Sequence, residues 1–574
     1  MTPPTSLLPL LALAVAGAAA RPQEDGGSNA VTSTSGKVWA AVAFVNHGET
    51  TPFLLSSHPV LTPAGAQQLY RQGQAFRRRY LSAAAGNATT TGAAPIRGLG
   101  QNAIDNTQLR VLSQRDEWVA GGAVAFMQAL YPPDRTAFNA AAGGQALAEN
   151  YVAGNTTSYP LDGYQYPQIE TLPSTDINSI GIQGHLSCPN WQAASTTNLT
   201  TNPTLRAAAQ QSASFYTQLL SSAPLRGLLP TDDANLFNAY DIHNLVRYER
   251  AHNKTVFDAL PNAEATLARL AADAFTVARA KTDPGSSTAN DTASVTLTVA
   301  GRTLARLVAD QLNQTAVATA VPLTLLFGSF QPLMSLFSVT GLLTRDNVLS
   351  TALGNVTAPG AAAVFELVSE NSGGGTLPKP EDLSVRFVYR PTADANDTFQ
   401  VFSLFGSGNG GRTIPYLAFR DKMAAIGRDA AAWCAICQPD AATATWCRSL
   451  DAASSSGRSQ ISPAVAGVIG ALVMGALVAL VVFALCALGG FRLRRRGAAG
   501  GGGGGAEKRA GDRDVRYGSE GDAQERVGSW EMRGQPEGQG RAAARAAEQQ
   551  RNPFDDDAIS DVDGAAPVRA REGF

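Results

Sequence analysis

Hydrophobic positions along the chain cluster into short blocks, and the sharpest of them opens the stretch KVWAAVAFVNHGETTP at Lys37. Residues 38–45 form an unbroken run of eight apolar side chains, with β-branched and aromatic members, which predicts a strand buried on both faces. Asn46, His47 and Gly48 follow at once. Open α/β sheets collect their ligands at the carboxyl ends of such strands, so His47 is the first candidate for chemistry. The spacing of LTPAGAQQLYRQGQAFRRRYL predicts an amphipathic helix over 61–81, ending in Arg77, Arg79 and Tyr80. An Asn/Thr/Gly/Ala-rich loop over 83–95 follows. Helical patterns recur at 204–221, 263–281 and 303–313, separated by loops rich in Asn, Thr and Pro. Residues 321–327 then read as a second buried strand, 333–343 as a helix packing on the sheet, and 383–389 with 399–404 as paired strands.

Apolar patterning at the two ends predicts a route through the secretory pathway. Residues 7–15 are apolar and lead to Ala18-Ala19-Ala20, the form of a signal peptide removed near residue 20. Residues 21–36 are a polar linker. The ectodomain is expected over 37–450, with a juxtamembrane linker over 451–460. Residues 461–490 hold no charged side chain over thirty positions, long enough for one transmembrane helix. Arg492, Arg494, Arg495 and Arg496 follow, which places the tail, 491–574, in the cytoplasm as a disordered segment. This predicts a type I single-pass protein of the plasma membrane or a vacuolar or endosomal membrane. Sequons at Asn87, Asn155, Asn198, Asn253, Asn290, Asn313, Asn355 and Asn396 all precede the apolar span, as in a glycosylated ectodomain.

At 574 residues the chain is long enough for a large α/β domain with appendages, and its net charge of −2 gives no argument for nucleic acid. Cys188, Cys434, Cys437 and Cys447 suggest two disulfides in an oxidising compartment, with three connectivities open. Cys434 and Cys437 also form a CxxC, the motif of a redox pair or half a zinc site, but no second CxxC or neighbouring histidine completes a metal set. His58, His185, His243 and His252 lack metal-ligand spacing, and nothing calls for a cofactor.

The strand, the His-Gly turn, LTPAG and the helix after it resemble the opening of the histidine acid phosphatases, especially the fungal secreted phosphatases and phytases. The resemblance implies an α/β fold, the three-layer core of the phosphoglycerate mutase-like type, with a mixed sheet and a helical cap inserted at about 137–320. Family members read RHGxRxP in the turn. This chain keeps His47, Gly48 and Pro52 but has Asn46 and Thr50 in place of both arginines. A short strand, a serine, a third arginine and a helix are implied over 109–133; Ser113, Ala123, Phe126, Leu130, Tyr131 and Pro132 fit that frame, and the arginine falls on Trp118. Counting back from Ser335, Leu336 and Gly341, the family's His-Asp pair falls on Ser329 and Phe330, and IPYLAFRDKMA resembles its closing segment.

The implied mechanism makes the motif histidine a nucleophile on phosphorus, which needs cations on the phosphate oxygens and a general acid for the leaving alkoxide. Asn and Thr carry no charge, and Glu49 beside the turn would repel a phosphate. The expectation is a membrane-anchored pseudophosphatase that binds or senses a small phosphorylated or other ligand at the sheet edge. An active acid phosphatase working through His47 is the alternative. A third reading is endocytic cargo or scaffold acting through Asn552, Pro553, Phe554 and Asp556, since NPFxD resembles a fungal endocytic signal read by adaptor domains.

Overall fold

The computed structural model describes residues 36–81, 92–282, 291–318, 321–344, 352–370, 376–406 and 412–456. The signal peptide, nearly all of the linker, Asn87, Asn290, the apolar span 461–490 and the tail with Asn552, Pro553, Phe554 and Asp556 lie outside them. Among the described residues no helix is long and apolar enough to cross a membrane.

Eight strands build the central sheet: β1 (Lys37–Asn46), β2 (Leu109–Gln114), β3 (Ile169–Leu172), β4 (Leu323–Gly328), β5 (Ala362–Ser369), β6 (Ser384–Arg390), β7 (Gln400–Phe402) and β8 (Ile414–Pro415). Their order is β8-β6-β5-β1-β4-β2-β3, with β7 paired to the outer side of β6. β1, β4, β2 and β3 are mutually parallel, while β5 joins β1 antiparallel, so the sheet is mixed as expected. Every residue of β1 from Val38 to Asn46 is buried, because the strand has a core on each side. Ala40, Val42 and Phe44 belong to one apolar cluster, and Ala41, Ala43 and Val45 to the other. A register irregularity between Val38 and Ala40 sends Trp39 and Ala40 to the same side.

The helices divide between the two faces. α1 (Pro63–Phe76) and α2 (Glu117–Leu130) cover one face through Leu69, Phe76, Trp118 and Phe126. The predicted helix over 61–81 starts at Pro63 because Thr62 caps it, accepting the Gly65 N–H at 2.9 Å, and it closes in a π-helical turn over Arg77–Leu81. The other face carries α3 (Pro189–Thr201), α4 (Pro203–Ser221), α5 (Ala239–His252), α6 (Ala263–Thr282), α7 (Val299–Ala318), α8 (Phe330–Val339) and α9 (Tyr416–Ile426). α4, α6 and α7 answer the three predicted helical patterns. Several elements have no counterpart in the sequence pattern, among them the strands β3 and β5 and the helices α3 and α5.

A short helix, α10 (Ala430–Cys437), holds the cysteines. The disulfides are Cys188–Cys437 and Cys434–Cys447. The two sulfurs of the CxxC are thus each bonded elsewhere, and the closing segment is tied to the start of α3 across 249 residues.

Candidate functional site

The carboxyl ends of β1, β4 and β2 converge on the turn that carries His47. Backbone bonds pin that turn: His47 N–H donates to the Gly328 carbonyl at 2.9 Å, Asn46 N–H to Ala361 at 2.9 Å, and Gly360 N–H to the His47 carbonyl at 2.8 Å. Gly48 is required because a Cβ there would lie 2.4 Å from the Gly65 carbonyl oxygen, while a Cβ on Gly65 would lie 2.1 Å from that of Glu49. The turn and the first turn of α1 therefore touch backbone to backbone, which explains the glycine in LTPAG. Glu49 completes the seam: its carboxylate accepts the Thr62 hydroxyl at 2.9 Å, and its N–H donates to Gln68 at 2.8 Å.

The residues singled out in the sequence come together unevenly. His47 is 6% exposed, its Nδ1 2.7 Å from the Gly48 carbonyl. Trp118 stands edge-on to the imidazole, ring centroids 4.5 Å apart, with Phe53 behind it at 5.9 Å. Asn46 is buried and donates both amide hydrogens to backbone, to Thr357 O at 2.9 Å and Ala358 O at 3.0 Å. What Asn46 has left to offer is an acceptor, Oδ1, without a partner among the described residues. Thr50 pairs its backbone with Leu61. Ser329 is fully buried at the start of α8, its Oγ 3.5 Å from Gln114 Nε2. Phe330 is also fully buried and packs against Tyr240 at 4.6 Å. Two further acceptors, Gln114 Oε1 and Gln331 Oε1, are buried without partners among the described residues.

Burial pulls the His47 imidazole down, the bond to the Gly48 carbonyl opposes it, and the positive charge of Arg247 adds to the fall, to about 4. His47 is therefore neutral across the neutral pH range. The same two forces, burial and then Arg247, bring His243 to about 4.

Sequence reasoning missed Arg247 and the helix that carries it. α5 lies over the site: Tyr240 covers Phe330, Arg247 acts on His47, and His252 Nε2 meets the Glu49 carboxylate at 3.1 Å. Such spacings along AYDIHNLVRYERAH place chemistry-bearing side chains on neighbouring helical turns, a signal that was present in the sequence. Arg115, a neighbour of the third arginine position, is exposed, and Arg110 lines a different cavity. Among the described residues no group of His, Cys, Asp and Glu could hold a metal ion.

Comparison with known proteins identifies the family. No curated protein matches the chain. Among solved structures, the chain is similar to the phytase from Citrobacter braakii, at 12% identity and a TM-score of 0.43, over 68% of this chain and 98% of that one. It is also similar to the Hafnia alvei phytase in complex with myo-inositol hexakis sulphate, at 15% identity and TM-score 0.43 over 69% and 99%. The phytase from D. castellii gives 14% and 0.42 over 71% and 84%. The family model of the histidine phosphatase superfamily, branch 2, matches residues 45–390, more than half of the chain, from the residue before Asn46 to the last residue of β6. The chain belongs to branch 2 of the histidine phosphatase superfamily.

Proposed function

We propose that this chain is a membrane-anchored, glycosylated pseudophosphatase, a member of its family whose site binds a ligand without hydrolysing phosphate. The observation that carries the reading is Asn46. At a position where the family has arginine, both amide hydrogens are engaged with backbone carbonyls, so the side chain meets a ligand with an oxygen. A phosphate dianion is itself all acceptors, and acceptor against acceptor repels where a guanidinium would have stabilised the charge. Trp118 against His47 and Phe330 under Tyr240 support it, since an indole carries no formal charge and a phenyl ring no proton for the departing alkoxide. Replacing one preorganised donor costs about a hundred- to thousandfold in rate, and losing a general acid about a hundred- to ten-thousandfold.

One observation favours an active phosphatase instead. The charge of Arg247 reaches a neutral imidazole, and His243 lies within reach of the same charge. Arg247 would then supply the positive charge that Asn46 does not, while His243, brought to about 4, would carry a proton for the leaving group only near or below pH 4.

Membrane anchoring and glycosylation rest on the sequence, with one point of support from exposure. Asn155, Asn253, Asn313, Asn355 and Asn396 are exposed, whereas Asn198 is half-buried and its amide nitrogen donates to the Ala280 carbonyl at 2.5 Å. Glycans belong on Asn155, Asn313, Asn355 and Asn396; the Asn253 amide nitrogen, like that of Asn198, is engaged, donating to Glu249 at 2.8 Å. The test of the function is hydrolysis of an aryl phosphate and of inositol hexakisphosphate by the full chain from acidic to neutral pH, beside His47→Ala. Equal, background rates are expected; turnover lost in the variant would establish the active enzyme.

A further inference from the structure

We propose that a second cavity, away from His47, is a binding site for a small phosphate monoester. The cavity has a volume of about 260 Å³ and opens near the start of β2, between that strand, α7 and the loop joining α9 to α10. Arg110 stands four residues before Gln114 on the same strand, about 13 Å from it at roughly 3.3 Å per residue. This site is therefore distinct from the one at the sheet's carboxyl edge.

Its walls carry more positive than negative charge. Three arginines line it, Arg110, Arg306 and Arg428, against two carboxylates, Asp310 and Asp429. Both carboxylates are already engaged: Asp310 holds Arg306 at 2.7 Å, and Asp429 caps α10 by accepting the Ala432 N–H at 2.9 Å. Arg428 donates to the carbonyls of Ala425, Ile426 and Gly427 and meets no carboxylate among the described residues. The Arg110 guanidinium makes neither an ion pair nor a hydrogen bond among the described residues. Behind Arg428 lies a fourth guanidinium, Arg302, buried and donating to Thr298 Oγ1 and the Ile426 carbonyl. Burial lowers the Arg302 guanidinium and the charge of Arg428 lowers it further, to about 10, with Asp291 opposing only in part; positive charges crowd this wall.

Within the wall itself, three guanidiniums face two carboxylates, and because Asp310 holds Arg306, Arg110 and Arg428 are left without a bonded carboxylate among the described residues. A phosphate dianion has oxygens and charge enough to meet both of these guanidiniums, whereas a monocarboxylate has charge for one. The planar fork of arginine suits phosphate oxygens, and Leu112, Ile180 and Leu307 give the cavity an apolar side for a small organic body. The volume falls below the roughly 300–1,000 Å³ of pockets for drug-sized ligands, so a monoester with a compact body fits the chemistry better than a polyphosphate.

The experiment is calorimetric titration of the full chain with phenylphosphonate, a dianion that no phosphatase can hydrolyse, and with benzoate, a monoanion of like body. Phenylphosphonate should bind at least about tenfold more tightly than benzoate, and Arg110→Gln should weaken it by about tenfold or more, the usual effect of one charged hydrogen-bond partner. Asp310→Asn should tighten binding, because it frees Arg306, and a misfolded protein cannot mimic that gain. His47→Ala should leave the affinity unchanged. Absence of binding to folded protein, affinity indifferent to Arg110→Gln, weakening by Asp310→Asn, or loss in His47→Ala would each overturn the proposal.

Discussion

Two buried polar regions of this molecule treat the same difficulty in opposite ways. In the core, Glu366 of β5 has no exposure, yet its carboxylate receives Arg79 at 2.8 Å, Tyr80 at 2.7 Å and Arg386 at 2.6 Å. Burial alone would push the carboxyl up; Arg79 and Arg386 overrule it and hold it down, to about 2. At the sheet edge, burial of His47 is met by Trp118, by a backbone carbonyl and by a like charge, and the imidazole falls to about 4. The core keeps its charge because opposite charges were built around it. The turn holds its histidine as a neutral ring, with the uncharged Asn46 and Thr50 as neighbours in sequence. Buried charge is thus matched by opposite charge in the core and met by a like charge at the His47 turn.

Breaking the core cluster should have the largest effect. Glu366→Gln leaves Arg79 and Arg386 buried against a neutral amide, and removal of one partner from a buried pair costs about 3–5 kcal/mol. Denaturant unfolding of the variant would measure it, and a loss below about 1 kcal/mol would mean the cluster is solvated.

The comparison sharpens with pH. An imidazole lowered from 6.5 to about 4 contributes stability that is complete above pH 6.5 and is lost as pH falls toward 4, because the unfolded state binds the proton first. Glu366, lowered to about 2 from an ordinary value of 4.5, begins to withdraw its contribution only below pH 4.5. The two regions thus respond in separate windows. Between pH 6.5 and 4 the parent should lose about 3 kcal/mol more than His47→Asn, because each pH unit between the folded and unfolded imidazole is worth roughly 1.4 kcal/mol. Parallel pH curves for the two proteins would show that His47 is hydrated.

Smallest of all should be the bridge between α5 and the turn. His252 is 37% exposed and its partner Glu49 11%, and such pairs contribute about 0–1 kcal/mol. His252→Ala should shift unfolding by less than about 0.5 kcal/mol, with chloride having as little effect; a larger loss would make α5 a clamp on the site.

The same contrast explains what could be read from residue order. β1, β4 and α1 were legible because burial on both faces writes an uninterrupted apolar run and amphipathic spacing marks a helix, whose start the Thr62 cap then sets at Pro63. The His-Gly turn was legible because one backbone contact, Gly48 on Gly65, needs glycine at both ends. β5 was hidden because Glu366 interrupts its apolar run, and the residues that make that charge acceptable lie 287 and 20 positions away. α5 was hidden for the converse reason. Its polar face covers a site rather than solvent, so Tyr240, Arg247 and His252 resemble an ordinary exposed surface until the fold places Phe330, His47 and Glu49 beneath them. The disulfide pairing depends likewise on how α10 meets the start of α3, which spacing alone does not contain.

The most direct test of the central claim is a single-turnover measurement of phosphohistidine. The full chain would be mixed with an aryl phosphate at acidic pH, quenched in alkali, where phosphohistidine survives, and the bound phosphate counted per protein beside His47→Ala. The account predicts the same background in both. Phosphohistidine in the parent that disappears with His47 would contradict it, and would make Arg247 the cation that the turn itself no longer supplies.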